Sequence, residues 1–343
     1  MSIAFIVKGQ SFFKVAAPLV TAASRLGIPS TFVVYETRRG KEHDDVTGDI
    51  IEATFLKCER SCMPEPAFVR DDAGCLDAIT QRRIEHVVVQ DAQAHFPFLL
   101  RHSGLCCSSI GVFTDTMHWA RLWFKQELIP EMTYFPDELC KRKTEELCGH
   151  EWPGKCLGSP MFDHTAWLET KPKGDGSVLL LSPDQRLLSQ LQKEEIEQLR
   201  RMLGDRFRVL QRKKHAKSDV NVLKNDTIPY RSLSELAAAD IHINCYSISG
   251  FEAQFLGRPM LNLETELIDA SSGNVLVKSY RLDEIYERDN RVTIKRGGLI
   301  DAYERFVVNQ RYLQRVVSDS DVETLYSTAI LRDVMNIHDH VVL

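Results

Sequence analysis

The chain has 343 residues, of which 43% are hydrophobic and 27% are charged, and its formal net charge is −5. This length suits two domains of ordinary size, and the composition is that of a soluble globular protein. The acidic balance argues against bulk affinity for nucleic acid, because a protein that tracks phosphates is normally basic. Any basic site is therefore expected to be local.

The apolar runs of the sequence are short. Runs such as Val87–Val89 and Val178–Leu181 fall far below the roughly 18 residues that a membrane helix needs. The amino-terminal MSIAFIVKGQSFF lacks the pattern of a signal peptide and is predicted as a buried strand. These features predict a cytoplasmic protein with no transmembrane segment, and they do not argue against a peripheral membrane contact.

The cysteines give no sign of a metal site or a disulfide framework. None of the nine cysteines belongs to a CxxC motif, and the cysteines form no array with the histidines that has zinc-finger spacing. Their odd number fits a reducing compartment better than a set of disulfides. No Asp-x-Asp motif follows a predicted strand, so the sequence predicts no metal and no cofactor.

The first elements alternate between strand and helix. Apolar runs predict strands at Ile3–Val7 and Ser30–Tyr35, and helical spacing predicts a helix over Phe13–Arg25 between them. A strand–helix–strand unit of this length implies two parallel strands. Gly9 and Gln10 then follow the carboxyl end of the first strand, where open α/β sheets bind ligands, and form a candidate acceptor or phosphate loop.

The segment 36–70 is harder to interpret, and its role stays open. Ile50–Leu56 is predicted as a strand after a polar loop. From residue 71 the alternation returns, and Ser108–Phe113 is predicted as a strand that delivers Asp115 and His118 just beyond its end. The other elements predicted in this half are helices at Asp72–Arg83, Phe96–His102, Leu122–Leu128 and Asp137–Cys148, and strands at His86–Gln90 and Met132–Phe135.

A Pro/Gly/charged segment, Lys171–Ser177, marks the predicted domain boundary. After it, Val178–Leu181 is predicted to open a second sheet, and a helix is predicted over Ser189–Leu203. The next strand, Phe207–Gln211, ends in a basic cluster that consists of Arg212, Lys213, Lys214 and His215. A charge run is usually a solvated face, and that interpretation stands beside a phosphate-binding one.

The stretch 228–264 predicts a compact βαβ unit. It contains a helix at Ser232–Ala239, a strand at Asp240–Asn244, a turn at Tyr246–Gly250, a helix at Phe251–Leu256 and a strand at Pro259–Leu263. Further on, Gly273–Tyr280 is predicted as a loop. Helical stripes from Leu299 and over Val322–Val334 predict helices that close back over the first domain.

The turn in this unit is the main candidate site. A helix that begins at Ser249-Gly250 directs unpaired N–H groups toward the end of the strand, and phosphate is their natural partner. Gly250 allows close approach, the hydroxyls of Ser247 and Ser249 can donate, and Glu252 can accept from a ribose diol. The alternative is structural, since Ser249 can cap the helix and Glu252 can be a first-turn acid favoured by the dipole.

Two segments of the sequence resemble the GT-B fold glycosyltransferases and their relatives, the CDP-glycerol phosphotransferases and UDP-N-acetylglucosamine epimerases. One is Ser-x-Ser-Gly-Phe-Glu-Ala-x-x-x-Gly-Arg-Pro from Ser247, preceded by Leu-Ser-Glu-Leu-x-x-x-Ala-Asp. The other, Lys155–Asp163, is similar to the Val-x-Gly-x-Pro-x-x-Asp segment that ends the first domain in that family. The resemblance covers most of the chain except 36–70.

The resemblance implies an α/β fold of two Rossmann-like domains facing each other across a cleft. Their expected bounds are 1–168 for the acceptor side and 178–315 for the donor side, with helices over 316–343 returning to the first domain. The resemblance implies that Glu252 binds the donor ribose and that the Ser/Gly turn binds the donor diphosphate. The other donor-binding residues that it implies are Ser182, Arg212, Lys214, His215 and Tyr230. Tyr230 is expected in the loop before the helix, where its ring can also simply pack.

The function that this resemblance implies is metal-independent transfer of a sugar from a nucleotide sugar to the hydroxyl of a glycan or glycoconjugate. Such a reaction needs a general base in the acceptor domain. Asp115 is the favoured base, His118 is second, and Asp91 and His95 are further candidates. The alternatives are that Asp115 caps a helix and that His118 packs in a loop.

Three other functions fit the same segments. A nucleotide-sugar epimerase is expected to carry an arginine in the first loop, where this sequence has Lys8-Gly9-Gln10. A polyol-phosphate transferase is expected to show a His-Gly pair after a strand of the first domain, and Asp115–His118 is not that pair. A non-catalytic two-domain binding protein would keep Glu252 and the serine turn without needing a base.

Overall fold

The computed structural model describes residues 1–36, 46–58, 63–90, 105–111, 129–136, 138–167, 174–181, 188–212, 222–225, 229–245, 247, 249–256, 258–263, 266–268, 275–278, 291–294, 297–308 and 325–341. The chain divides into two compact units. Unit 1 comprises Met1–Trp167 and Val322–Leu343, and unit 2 comprises Leu168–Asp321. None of the helices described in these ranges is long and apolar enough to cross a membrane.

The described strands and helices alternate along most of the chain. The strands are β1 Ile3–Val7, β2 Ser30–Tyr35, β3 Ala67–Val69, β4 His86–Gln90, β5 Cys106–Ile110, β6 Met132–Phe135, β7 Gly154–Cys156, β8 Val178–Leu181, β9 Phe207–Arg212, β10 Val222–Asn225, β11 Ile241–Asn244, β12 Met260–Leu263, β13 Glu266–Ile268, β14 Val275–Lys278 and β15 Arg291–Ile294. The helices are α1 Gln10–Arg25, α2 Gly48–Cys58, α3 Asp72–Gln81, α4 Glu138–Cys148, α5 Gln190–Leu203, α6 Pro229–Ala238, α7 Ser249–Phe255, α8 Leu299–Val308 and α9 Tyr326–Val341, and 3-10 turns span Pro160–Trp167 and Gly204–Arg206.

Each unit is built on one parallel sheet. Unit 1 has seven strands in the order β3-β2-β1-β4-β5-β6-β7, and unit 2 has six in the order β10-β9-β8-β11-β12-β15. The strand order reverses between β1 and β4 in unit 1 and between β8 and β11 in unit 2. In open parallel sheets such a reversal leaves a crevice at the carboxyl ends of the two strands, and ligands bind there.

The core of unit 1 explains why residues 48–58 form a helix and not the predicted strand. Phe32 on β2 lies between Phe13 of α1 and Phe55 of α2, with ring centroids 5.5 and 6.0 Å away. In α2, Ile51 and Phe55 are buried four residues apart, which is helical spacing. The apolar run Ile50–Leu56 is too short for its hydrophobic periodicity to distinguish a strand from a helix.

The sheet of unit 2 is covered on both faces. Alternate residues of β8 divide between them: Leu180 belongs to an apolar cluster with residues of α5, and Leu179 and Leu181 belong to a second cluster with residues of α6 and α7. Helix α5 begins with a capping box, in which Ser189 Oγ accepts from Gln192 N and Gln192 Oε1 accepts from Ser189 N. Both faces of the strands are therefore withdrawn from water, as parallel sheets require.

Most of the predicted elements are confirmed within one to three residues, and four differ. Besides α2, the predicted loop at 273–280 contains β14, which forms an antiparallel hairpin with β13. The strand predicted to end at 113 is β5, which ends at Ile110. Tyr230 lies in the first turn of α6 instead of in a loop before it. The predicted helices at 96–102 and 122–128 lie outside the described residues.

The last helix, α9, is held on unit 1 by a buried carboxylate. Asp163 accepts hydrogen bonds from the backbone N–H groups of Tyr326 (3.1 Å) and Ser327 (2.8 Å), which belong to the first turn of α9. The Tyr326 ring lies against Gly158, where a Cβ would come within 2.2 Å of it. The segment that resembles the family's first-domain end thus binds the amino end of α9.

A second carboxylate fastens the middle of α9. Asp333 accepts from the Tyr134 hydroxyl at 3.1 Å and pairs with the Lys155 ammonium, so residues of β6 and β7 both bind it. Burial raises the pKa of Tyr134 and keeps the phenol in its neutral donor form. Asp163 therefore attaches α9 to the 3-10 segment Pro160–Trp167, and Asp333 attaches it to the sheet.

The attachment through Asp163 predicts a dependence of stability on pH. Burial raises the pKa of Asp163 from 3.8 to about 6, against the opposing effect of hydrogen bonds from Ser327 and Tyr326. The folded state then holds a proton that the unfolded state has released. The free energy of unfolding therefore falls as pH rises from about 4 to 6, by on the order of 3 kcal/mol relative to Asp163→Asn, which carries no such proton.

The measurement is urea unfolding of wild type and Asp163→Asn at several pH values between 3.5 and 7. Asp49→Asn, at an exposed position in α2 of the same unit, serves as the control and should follow wild type. Parallel curves for wild type and Asp163→Asn across this range would show that folding does not change the pKa of Asp163.

Candidate functional site

The predicted turn lies at the strand-order reversal of unit 2. β8 and β11 are neighbours in parallel register, with Asn244 opposite Leu181. Beyond β11 the chain runs through Ser247 into α7, while Ser182 would follow β8 but lies outside the described residues. Since all six strands are parallel, β9 also ends at this edge, at Arg212.

The turn is ordered by a buried asparagine at the end of β11. Asn244 Oδ1 accepts from the backbone N–H of Ser247 at 3.2 Å, and Asn244 Nδ2 donates to Asn262 Oδ1 on β12 at 3.1 Å. Within the turn, the N–H of Ser249 donates to Ser247 Oγ at 3.3 Å and that of Gly250 donates to the Ser247 carbonyl at 2.9 Å. These three N–H groups are thus satisfied within the protein.

Gly250 is required by packing. A Cβ at this position would lie 2.6 Å from both Cγ and Nδ2 of Asn244. The glycine therefore lets the first turn of α7 sit directly on the asparagine amide. This contact is a second physical reason for the glycine, beside the close approach to an anion that the sequence suggested.

Glu252 lies in the first turn of α7 and is 1% exposed, and Ser249 is 7% exposed. A carboxylate is seldom so buried without a specific partner or function. At this burial a ligand reaches Glu252 only if the residues that cover it move. Helix α7 has seven residues, so its dipole contributes less than a long helix would, and individual donors matter more.

The other predicted donor-binding residues are described only in part. Arg212 ends β9 and Tyr230 begins α6, but their side chains are not described. Ser182, Lys214 and His215 lie outside the described residues. The structure therefore brings Ser247, Ser249, Gly250 and Glu252 together and places Arg212 at the same sheet edge.

In unit 1, Gly9 lies at the strand-order reversal between β1 and β4. Its backbone has φ 82° and ψ 167°, a conformation that favours glycine, and it precedes α1 without a side-chain cap. Gln10 is the first residue of α1, and its side chain is not described. The base candidates Asp91, His95, Asp115 and His118 lie outside the described residues. Because β5 ends at Ile110, Asp115 does not directly follow the strand as predicted.

The sequence analysis missed Asn244 and Asn262. The signal for Asn244 is the alternation of β11, Ile-His-Ile-Asn, in which the apolar residues Ile241 and Ile243 share one face and the polar residues lie on the other. Both asparagines are buried, at 1% and 3% exposure, and they are register partners in the sheet. In a fully buried strand, a polar side chain indicates a specific hydrogen bond.

The histidine on the same face of β11 has a structural role. His242 Nε2 lies 2.8 Å from the Leu236 carbonyl, and burial lowers the pKa of His242 to about 4. It therefore stays neutral and links α6 to the sheet toward the amino end of β11, away from the turn. Within the described part of the chain, no three His, Cys, Asp or Glu side chains are grouped as metal ligands, and none of the described cysteine side chains forms a disulfide.

No family model matches the sequence, and no curated protein matches it. Solved structures do match the fold over nearly the whole chain. A putative UDP-N-acetylglucosamine 2-epimerase from Listeria monocytogenes matches with a TM-score of 0.69 and 13% identity, over 99% of this chain and 97% of that one. The wall teichoic acid polymerase TagF matches with a TM-score of 0.56 and 10% identity, over 100% of this chain and 90% of that one.

The solved structure of a glycosyltransferase also matches this fold. The spinosyn forosaminyltransferase SpnP matches with a TM-score of 0.51 and 13% identity, over 99% of both chains. The chain therefore has the GT-B fold, with two parallel sheets in the two units. At identities of 10–13% the likeness concerns the fold, and function has to be argued from the residues.

Proposed function

We propose that this GT-B chain is a glycosyltransferase that moves a sugar from a nucleotide-sugar donor to a hydroxyl of a glycan or glycoconjugate, as in polysaccharide biosynthesis. The observation that carries the proposal is the Ser-x-Ser-Gly-Phe-Glu segment at the strand-order reversal of unit 2, with the buried Glu252 one turn inside α7. In open parallel sheets this is the place where nucleotides bind.

Proteins of similar fold support a nucleotide-sugar substrate. The Listeria protein is a putative epimerase of UDP-N-acetylglucosamine, SpnP is a forosaminyltransferase, and the glycosyltransferase VinC is known in complex with dTDP. These activities share a sugar or a nucleotide as ligand. A nucleotide sugar is accordingly the substrate class that we propose for this chain.

The proposed reaction assigns a chemical role to each group of residues. The acceptor oxygen attacks the anomeric carbon, its proton passes to a base, and the bond from that carbon to the diphosphate oxygen breaks. Negative charge then develops on the diphosphate, and we assign its stabilisation to the hydroxyls of the turn and to the basic cluster at the end of β9. Because these groups supply donors and positive charge, the proposed reaction needs no metal ion.

The second candidate is a nucleotide-sugar epimerase. It is favoured by the TM-score of 0.69 to the Listeria protein, which exceeds the 0.51 to SpnP. Against it stands the first loop, Lys8-Gly9-Gln10, which lacks the arginine that the epimerases lead us to expect. A polyol-phosphate transferase is suggested by TagF. Such an enzyme is expected to carry a His-Gly pair after a strand of the first domain, and the sequence of this chain after β5 contains no such pair.

The two candidates differ in their products. The protein should be incubated with UDP-, GDP-, CMP- and dTDP-sugars, with and without glycan acceptors, and analysed by NMR and mass spectrometry. We expect release of one nucleotide that depends on an acceptor, and an acceptor mass increased by one sugar. A donor whose mass is unchanged but whose sugar has one inverted centre would establish epimerisation, and neither change with any donor would contradict both.

Glu252 is proposed to hold the donor ribose. Glu252→Gln should weaken nucleotide binding more than tenfold, because a hydrogen bond to a charged group contributes roughly 1.5–3 kcal/mol. The thermal midpoint should change little, since glutamine has nearly the same shape. Isothermal calorimetry and a thermal scan measure the two effects.

The matched control is Glu235→Gln on α6. Its carboxylate pairs with Arg208 at 3.1 Å, so its loss should leave nucleotide affinity unchanged. If Glu252→Gln instead lowers the thermal midpoint and leaves the affinity unchanged, Glu252 has only a structural role at the start of α7.

Asp115 is proposed as the general base, with His118 as the alternative. Asp115→Asn and Asp115→Ala should bind donor normally and lose turnover by about 100-fold or more, the scale of general-base loss. Turnover and donor affinity are measured separately. An active Asp115→Asn enzyme would transfer the role to His118, and retention of configuration at the sugar would remove the need for a separate base.

A further inference from the structure

The buried asparagine pair of unit 2 connects the sheet to the turn that is proposed to bind the donor. Asn244 and Asn262 lie opposite each other on β11 and β12, at 1% and 3% exposure. Two buried amides between apolar neighbours are costly unless their hydrogen bonds are made. Their retention in the centre of the sheet therefore calls for a specific explanation.

The hydrogen bonds determine how both amides are oriented. A backbone N–H can only donate, so the Asn244 atom 3.2 Å from Ser247 N must be its oxygen. The Asn244 NH₂ group then faces β12, and the Asn262 atom 3.1 Å away must also be an oxygen. The orientation of the whole pair thus follows from a single contact with the turn.

Gly250, in the first turn of α7, also contacts the Asn244 amide. Its Cα lies so close to the Asn244 amide that a Cβ would be 2.6 Å from Cγ. The Gly250 N–H in turn donates to the Ser247 carbonyl at 2.9 Å. Asn244 therefore fixes both ends of the turn, Ser247 by a hydrogen bond and Gly250 by packing.

We propose that the Asn244–Asn262 pair is a positioning device that holds the 247–250 turn in the conformation that accepts the donor diphosphate, an inference that rests on the proposed function. The N–H groups of Ser247, Ser249 and Gly250 are satisfied within the protein, whereas the hydroxyls of Ser247 and Ser249 can still donate to a diphosphate. Asn244 touches no substrate and acts through Ser247 and Gly250.

The first test needs no ligand. Amide hydrogen exchange of the full-length chain should become about tenfold faster at residues 247–250 in Asn244→Ala, because one hydrogen bond and one packing contact are lost. Asn244→Asp keeps an oxygen for Ser247 N–H, and its second oxygen can accept from the Asn262 NH₂ after that amide flips. It should restore slow exchange, and unchanged exchange in Asn244→Ala would overturn the inference.

The second test separates positioning from general stability. UDP, GDP, CDP and dTDP are each compared with the corresponding nucleoside by calorimetry. Asn244→Ala should weaken binding of the diphosphate about tenfold and leave the nucleoside affinity unchanged, because only the diphosphate meets the turn. Equal losses for both ligands, or no loss for either, would overturn the positioning role.

His242→Leu is the matched control. His242 lies on the same face of β11 two residues earlier, is equally buried, and its side chain bonds to the Leu236 carbonyl instead of to the turn. It should lower the thermal midpoint without faster exchange at 247–250 and without a change in diphosphate affinity. If it reproduces both effects of Asn244→Ala, the pair contributes only to the stability of the sheet.

Gly250→Ala provides an independent variant if Asn244→Ala does not fold. Its Cβ would displace the Asn244 amide, so it should also accelerate exchange at 247 and 249. In the double variant Asn244→Ala/Gly250→Ala, exchange should be no faster than in Asn244→Ala alone, because the amide that the added Cβ would displace is already absent. If wild type binds none of the four diphosphates, the proposed function fails, while the exchange data still decide whether the pair orders the turn.

Discussion

The reversal of strand order in each parallel sheet is the feature of this fold that leaves room for a ligand. On either side of the reversal the connections leave in opposite directions, so the carboxyl ends of two adjacent strands are left uncovered by a crossover. In unit 1 this point lies between β1 and β4, and Gly9 follows β1 there. In unit 2 it lies between β8 and β11, and the turn before α7 occupies it.

Several polar groups that are buried in the two sheets are paired with one another, and the pairs connect different elements. In unit 1, His86 Nε2 lies 3.0 Å from Ser108 Oγ, and the Trp152 indole donates to Thr133. In unit 2 the Asn244–Asn262 pair is the corresponding feature. Since each unpaired buried group would be costly, such pairs favour one strand register over its alternatives.

Most of the fold could be predicted from the sequence because buried parallel strands are continuous apolar runs, as at β1 and β8. Residues 50–56 could not, because an apolar run of that length has no clear period and only packing on Phe32 makes it a helix. Hairpin β13–β14 was missed because the polar residues on either side of Val275–Lys278 indicated a loop, although its two strands are close in sequence. Glu252 and the serines could be chosen as candidates from the sequence because their spacing is local, whereas Asn262 is connected to the turn only through its register with Asn244.

Gly250 belongs to the motif that suggested anion binding, but the structure gives it a separate role in packing. Gly250 is compatible with an anion that approaches the backbone, but its N–H already donates to Ser247 and its Cα already meets Asn244. Packing alone therefore requires the glycine. Under the proposed function, the hydroxyls of Ser247 and Ser249 and the buried Glu252 contact the ligand, whereas the N–H groups of Ser247, Ser249 and Gly250 already have partners in the protein. The placement of these hydroxyls then depends on how firmly the sheet holds the turn, which connects the interior of unit 2 to its proposed chemistry.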